Sequence, residues 1–433
     1  MLRLLADQRY WLRGLAYALV FLSAFSIAGV TTVTITLFVA VAYHVWRERP
    51  RLELPGWLIA AMLALPAAAV VSALANPQPI GNLFDLRREY QIFLPLALIP
   101  ALQQTRTRNL LLMLAVPLGI LAVYAVIQHE WGVNWARSGS GTTVRAYGHD
   151  SYYARGTFSH HLTFSGYMLL NALLFAGLAF KLPGRLRWVW ALGSAAAAIS
   201  LIAALGRSGW IGLAVGGLML LAGFPRRILL PVGLAGVMFV AAVGLLITGN
   251  LRNAVPIDTG STVLNRALST SLTHDRERLY LWESALLGIQ DHPVFGVGYG
   301  NDKKMMGTYR REVSKRHGYK FSVKPSMHSH NIYLQVTFEL GLLGLAAYLY
   351  MWFGVFRWNA MWVRRAGDRC PFETALLTGA SCAMAGSLVA GLFESNFFDA
   401  EVRTMILIVM GLSLTTGIAI RRILAGEAQP DPR

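Results

Sequence analysis

Windows of roughly twenty apolar residues recur along almost the whole of this chain, and no other feature limits its fold so tightly. A hydrocarbon core about 30 Å thick is crossed by about 20 residues of helix. Windows of that kind lie near 14–29, 30–46, 56–75, 83–100, 109–129, 157–180, 188–205, 208–224, 228–248, 331–356, 374–393 and 402–420. The 433 residues are 55% hydrophobic and only 14% charged, which excludes a soluble globule. The expectation is an all-α polytopic membrane protein of about twelve transmembrane helices with negligible sheet. Residues 1–248 would carry spans one to nine, 249–329 a structured loop with amphipathic helices, and 330–433 the last three spans and a tail. The first two spans would divide at Gly29-Val30-Thr31, and the fourth carries Asp85, Arg87, Arg88 and Glu89 at its head. The N-terminal apolar run reads as an uncleaved first span, since no small-residue cleavage site follows it.

Lys and Arg in alternate loops set the orientation, because the cytoplasmic side retains positive charge. With both termini inside, the inner segments hold 20 Lys and Arg and the short outer loops hold 7, so that orientation is preferred. The long loop between about Asn250 and Met327 then faces outward, together with the 137–155 loop, Arg207 and the Glu394–Glu401 turn. The net charge of +17 is therefore mostly topological and is no sign of a nucleic-acid partner. Cys370 and Cys382 fall in an inner loop and a span, where they make neither an outer disulfide nor a metal quartet.

Positive charge on the outer face runs against the topological bias and points to an anion. Arg87, Arg88, Arg155, Arg207, Arg276 and Arg278 are the candidates, and phosphate is the anion whose geometry guanidinium matches. Apolar Leu279, Trp282, Leu286 and Ile289 recur at helical spacing, so an amphipathic helix is expected there, capped by Thr273 or Asp275 and followed by Pro293. That start would place Arg276 and Arg278 in its first turn. Gly296-Val297-Gly298-Tyr299-Gly300-Asn301 lacks βαβ context and reads as a tight turn or backbone nest. Lys303 to Lys324 holds eight basic residues, either a lid over anionic lipid heads or a solvated run.

The loop re-enters the membrane through Met327-His328-Ser329-His330-Asn331. An imidazole near its usual pKa is suited to take a proton from a sugar hydroxyl, although two histidines here could also simply cap or hydrogen-bond. Asn331 and Gln335 could orient the imidazole or bind sugar hydroxyls, and Glu339 lies one turn further into the same span. A competing site is Glu394-Ser395-Asn396-Phe397-Phe398-Asp399-Ala400-Glu401, whose carboxylates could hold a hard cation. There, a cap by Asp399 on the last span is the more economical reading.

Arg278-Leu279-Tyr280-Leu281-Trp282, Asp291-His292-Pro293-Val294-Phe295-Gly296-Val297-Gly298, His328-Ser329-His330-Asn331-Ile332-Tyr333-Leu334-Gln335 and Glu339-Leu340-Gly341-Leu342-Leu343-Gly344 form an ordered set. With Gly156-Thr157-Phe158 and Gly206-Arg207-Ser208-Gly209-Trp210 upstream, this set resembles the bacterial O-antigen ligase and polymerase superfamily. The resemblance implies a GT-C-like glycosyltransferase of the bacterial inner membrane with one large structured periplasmic loop and its active site on the periplasmic side. It implies a donor glycan on undecaprenyl diphosphate, and in the ligase branch lipid A–core as acceptor, with neither metal nor other cofactor. By that resemblance His330 would be the essential histidine and Arg207 and Arg278 the diphosphate holders; position, charge and side-chain chemistry, not the resemblance, add Arg276, His328, Arg155, Arg87, Arg88, Asn331 and Gln335 as substrate contacts. A glycan polymerase, a protein-glycosylating relative and a lipid-linked-sugar transporter remain alternatives. Against the last stand the absence of inverted repeats and the clustering of reactive residues on one face.

Overall fold

A computed structural model describes residues 8–76, 79–137, 141, 143–147, 151–221, 262, 266, 272–321 and 328–429. The helices are α1 (Gln8–Leu22), α2 (Ile27–Glu48), α3 (Gly56–Ala75), α4 (Pro79–Asp85), α5 (Leu94–Gln103), α6 (Thr107–Trp131), α7 (His161–Lys181), α8 (Leu186–Ala203) and α9 (Arg207–Leu221). After them come α10 (Leu272–Asp291), α11 (Asp302–His317), α12 (Ile332–Ala366), α13 (Pro371–Ala390) and α14 (Ala400–Leu424). Among the described residues eight helices are long and apolar enough to cross a membrane, and α1 and α9 are shorter apolar helices. The expected span at 228–248 lies outside the described residues. Among the described residues strand is confined to an antiparallel pair, Ala146–Tyr147 with Ser151–Tyr152.

Two expected spans need correction. The first break falls between Leu22 and Ile27, because Ser26 caps α2 by accepting the Gly29 N–H at 3.0 Å, so Gly29-Val30-Thr31 lies inside that helix. The segment 83–100 is not one span. It divides into the end of α4, a 3-10 helix at Leu86–Phe93 that carries the charged cluster, and α5, which begins with Leu94-Pro95. Proline lacks the N–H that would continue the preceding turn.

The bundle is organised around α7, which packs between α8 and α13, while α13 also lies along α9. Gly177 of α7 meets Gly379 of α13 so closely that a Cβ on either would enter the other backbone. Small residues at such a crossing let helices approach without a hydrophobic driving force in lipid. On the other side α3 lies along α12 and α5 along α14, which is almost wholly buried.

Helix α12 is broken at Gly341 (φ 69°, ψ −171°). The turn expected at 296–301 is what repairs the break. Gly296, Gly298 and Gly300 all take positive φ, and the strap they form runs beside the gap. Val297 and Gly298 donate to the Phe338 and Glu339 carbonyls at 2.9 and 3.2 Å, and Leu342 and Leu343 donate to Pro293 and Val294 at 2.8 and 3.3 Å. Ser72 of α3 closes the clasp on the Phe295 carbonyl at 2.7 Å. Irregular backbone survives at membrane depth only where protein replaces the lost hydrogen bonds, and here it does. A Cβ on Gly341 would strike the Val294 carbonyl. Gly341→Ala is therefore expected to lower the thermal midpoint in detergent, with about 1–3 kcal/mol from backbone strain alone. Gly119→Ala, which points into open space on α6, should leave it unchanged or slightly raised. Equal midpoints for the two variants would rule out the clasp as a stabilising device.

Candidate active site

One end of the bundle gathers three segments that are distant in sequence: α10, the loop entering α12, and the turn between α13 and α14. Asn331 holds the loop in place. Its Oδ1 accepts the Tyr333 and Leu334 N–H groups, both at 3.0 Å, and its Nδ2 donates to the Leu392 carbonyl at 3.0 Å. The Ile332 N–H reaches the Gly391 carbonyl at 2.8 Å. Gln335 is also turned inward: its Oε1 accepts the Ser329 N–H at 3.0 Å and its Nε2 donates to Asp302 at 3.3 Å. The carboxamides of Asn331 and Gln335, expected to meet substrate or orient an imidazole directly, are engaged in fixing the loop that carries His330. They shape the site through the backbone.

His330 stands in the left-handed region at φ 52°. A non-glycine residue there costs of order 1–3 kcal/mol, a strain that persists only where the surroundings enforce it. The conformation delivers Nδ1 to Glu394 Oε2 at 2.9 Å, while Arg278 Nη2 from α10 donates to Glu394 Oε1 at 2.5 Å. A carboxylate only accepts, so Nδ1 carries the proton and the Nε2 lone pair is left for chemistry. Burial alone would raise the Glu394 pKa, but the Arg278 guanidinium and the hydrogen bond from His330 outweigh it and hold the carboxyl down to about 2. The Glu394 side chain is only 4% exposed, against 14% for His330 and 30% for Arg278. The charge is hidden and its two partners are the more exposed members.

His328 lies with its ring centroid 4.9 Å from that of His330. Burial, then His330 itself, pushes its pKa down to about 4, so it stays neutral beside His330. The acidic turn is not a competing site. Glu394 belongs to His330 and Arg278, Asp399 accepts the Thr163 hydroxyl at 3.0 Å, and Glu401 takes the Ser159 hydroxyl at 3.4 Å. Asp399 stands at the N-cap position of α14 but makes no capping bond, contrary to expectation.

Residues 192–349 match the family model described as O-antigen ligase. Over that stretch the chain is similar to the O-antigen ligase family. It is 28% identical over 225 residues to the O-antigen ligase of Salmonella typhimurium, an alignment covering 52% of each chain. It is also 38% identical over 72 residues to a Rickettsia typhi protein provisionally named a polysaccharide ligase, 17% of each chain. The matched stretches thus span about half or less of the length of these relatives. The O-antigen ligase match contains Arg207, Arg278, His328 and His330, whereas Glu394 lies beyond its end.

The remaining candidates divide. Arg207 opens α9, where Gly206 and Gly209 press against Ser165 in the first turns of α7. Arg155 is held by its N–H on Gln128 Oε1 at 2.9 Å and by its guanidinium on the Ser159 carbonyl at 3.2 Å. Burial, with a smaller contribution from the charge of Arg137, lowers its pKa. Arg87 is exposed and stacks on Phe84 at 3.7 Å. The side chains of Arg88 and Arg276 lie outside the described residues. Helix α10 already runs from Leu272, so Arg278 sits beyond the first turn and owes its position to Glu394 rather than to a helix N-terminus. The basic segment after Lys303 is partly helix α11, packed on α10 with Tyr309 and Arg310 buried, and not a wholly solvated run; Lys324 lies outside the described residues.

Burial, followed by Glu394 and Glu401 over the opposing Thr163 bond, pushes the Asp399 pKa up to about 7. A carboxyl raised this way binds its proton more tightly folded than unfolded, so wild-type stability should fall as pH rises from about 4 to about 7. Asp399→Asn, which can keep the Thr163 bond, is expected to be more stable than wild type above pH 7 and to lose that advantage near pH 4. Thermal unfolding in detergent across this range checks it, and a pH-independent difference would contradict it.

Proposed function

We propose that this protein is a glycosyltransferase that moves O-antigen glycan from undecaprenyl diphosphate to a sugar hydroxyl of lipid A–core, at the periplasmic face of the bacterial inner membrane. The observation that carries the reading is the Glu394 bridge, which puts a tautomer-fixed histidine and an arginine on two oxygens of one carboxylate. That pairing meets the two demands of the chemistry: one proton must be accepted, and negative charge must be stabilised as it develops on the leaving phosphate.

In the proposed step the acceptor hydroxyl oxygen attacks the anomeric carbon of the donor. The new glycosidic C–O bond forms as the C–O bond to phosphate breaks, and the electron pair leaves on the lipid diphosphate. The hydroxyl proton passes to His330 Nε2. Glu394, charged throughout, stabilises the imidazolium that results and keeps the ring in register. Arg278 and Arg207 meet the diphosphate oxygens, so the step draws on no metal. Direct displacement inverts the anomeric configuration. The raft of apolar helices supports a lipid-borne donor that never leaves the bilayer.

Purified protein with undecaprenyl-diphosphate-linked glycan and lipid A–core should form product in the presence of EDTA. General-base removal in His330→Ala is expected to cost about 10²–10⁴-fold, and loss of the phosphate partner in Arg278→Ala about 10²–10³-fold. Longer glycans from donor alone, with lipid A–core untouched, would replace the ligase reading with a polymerase. Transport of donor across vesicles without any product would remove the transferase reading altogether.

A further inference from the structure

His160, which precedes α7, is a poor choice if its task is only to cap that helix, since Asn, Asp and Ser cap best. Its Nδ1 accepts the Leu162 N–H at 3.3 Å. That bond occupies the Nδ1 lone pair, so the proton of the neutral ring sits on Nε2. The ring is exposed and rests on His161 at 4.5 Å between centroids. His161 is itself fixed by the Ala204 carbonyl at 2.9 Å and by Tyr153 at 4.4 Å. The result is a braced hydrogen-bond donor pointing away from its own helix.

The location of that donor follows from the contacts around it. Ser159 bonds Glu401, Thr163 bonds Asp399, and Gly166 abuts Asn396, so the first turns of α7 are fastened to the turn that bears Glu394. The ring lies within the fields of Glu394, His330, Arg145 and Arg155. Arg145 and Arg155 are the arginines whose charge acts on the ring. We propose that His160 is a substrate-positioning residue whose Nε2–H donates to a phosphate oxygen of the lipid-linked diphosphate. The proposal rests on the glycosyl-transfer reading of the His330 site. Partial desolvation against its neighbours lowers the pKa of His160, with His330, Arg145 and Arg155 adding to the effect against Glu394. The ring therefore works as a neutral, single donor and leaves proton transfer to His330.

Three full-length variants separate this role from capping. His160→Asn keeps a capping acceptor but loses the outward donor, His160→Gln restores a donor near the Nε2 position but caps poorly, and His160→Ala loses both. With undecaprenyl-diphosphate-linked glycan as varied substrate, kcat/KM should fall about tenfold or more in the Asn and Ala variants and recover in part in the Gln variant. Thermal midpoints should follow the capping order instead, with Asn nearest wild type. An Asn variant with wild-type kcat/KM, beside impaired Gln and Ala variants, would show that capping is the whole role and overturn the proposal. Wild type run beside His330→Ala reports the underlying reaction separately. If wild type makes no product, equilibrium binding of undecaprenyl diphosphate decides: weakening of about tenfold in the Asn variant sustains His160 as a phosphate donor, and unchanged binding overturns it.

Discussion

A buried carboxylate stays charged only if its partners replace the water it has lost, and Glu394 has two such partners. One is the Nδ1–H of His330 and the other the guanidinium of Arg278. The arrangement works in both directions. The partners keep Glu394 ionised in a nearly dry position, and Glu394 in turn sets the tautomer of the histidine and the placement of the arginine. Removal of either partner leaves the buried carboxylate short of a donor, and removal of Glu394 frees both partners, so the three act as a unit.

The unit can exist only because the backbone around it is over-determined. His330 is held in the left-handed region by Asn331 below it and by Ser329 above, and Asn331 also ties the loop to the Leu392 carbonyl two residues from Glu394. Three turns further down, the break at Gly341 lets the 293–300 strap enter beside α12, and that strap connects α10, with Arg278, to α11, whose Asp302 receives Gln335. The glycine break and the loop that carries His330 are thus successive features of one stretch of chain. A continuous α12 would offer no carbonyls to the strap.

Hydropathy made the long spans of α3, α6, α7, α12, α13 and α14 readable, because a lipid-crossing helix advertises itself over twenty residues. It failed where short-range chemistry overrides it. Ser26 moved the first break by capping, and the charged cluster and Pro95 divided the segment at 83–100. The site was legible in the same partial way. His330 and Arg278 stand in motifs that can be read locally, and Glu394 was visible only as a carboxylate in an outer turn. Its partners are 64 and 116 residues away, and no spacing rule reaches across such distances. Asn331 and Gln335 carry side chains suited equally to sugar and to backbone, and only the folded loop shows the backbone contacts they make.

Glycosyl transfer by Glu394→Gln, Arg278→Ala and the double variant, each purified and shown to be folded, tests the central bridge most directly. Glutamine keeps the shape but removes the charge and can present an N–H to the wrong side of the imidazole. If one carboxylate governs both partners, each single variant loses about 10²-fold or more and the double is scarcely slower than the worse single. A Glu394→Gln enzyme working at the wild-type rate, or losses that multiply in full, would contradict the bridge as the organising element of the site.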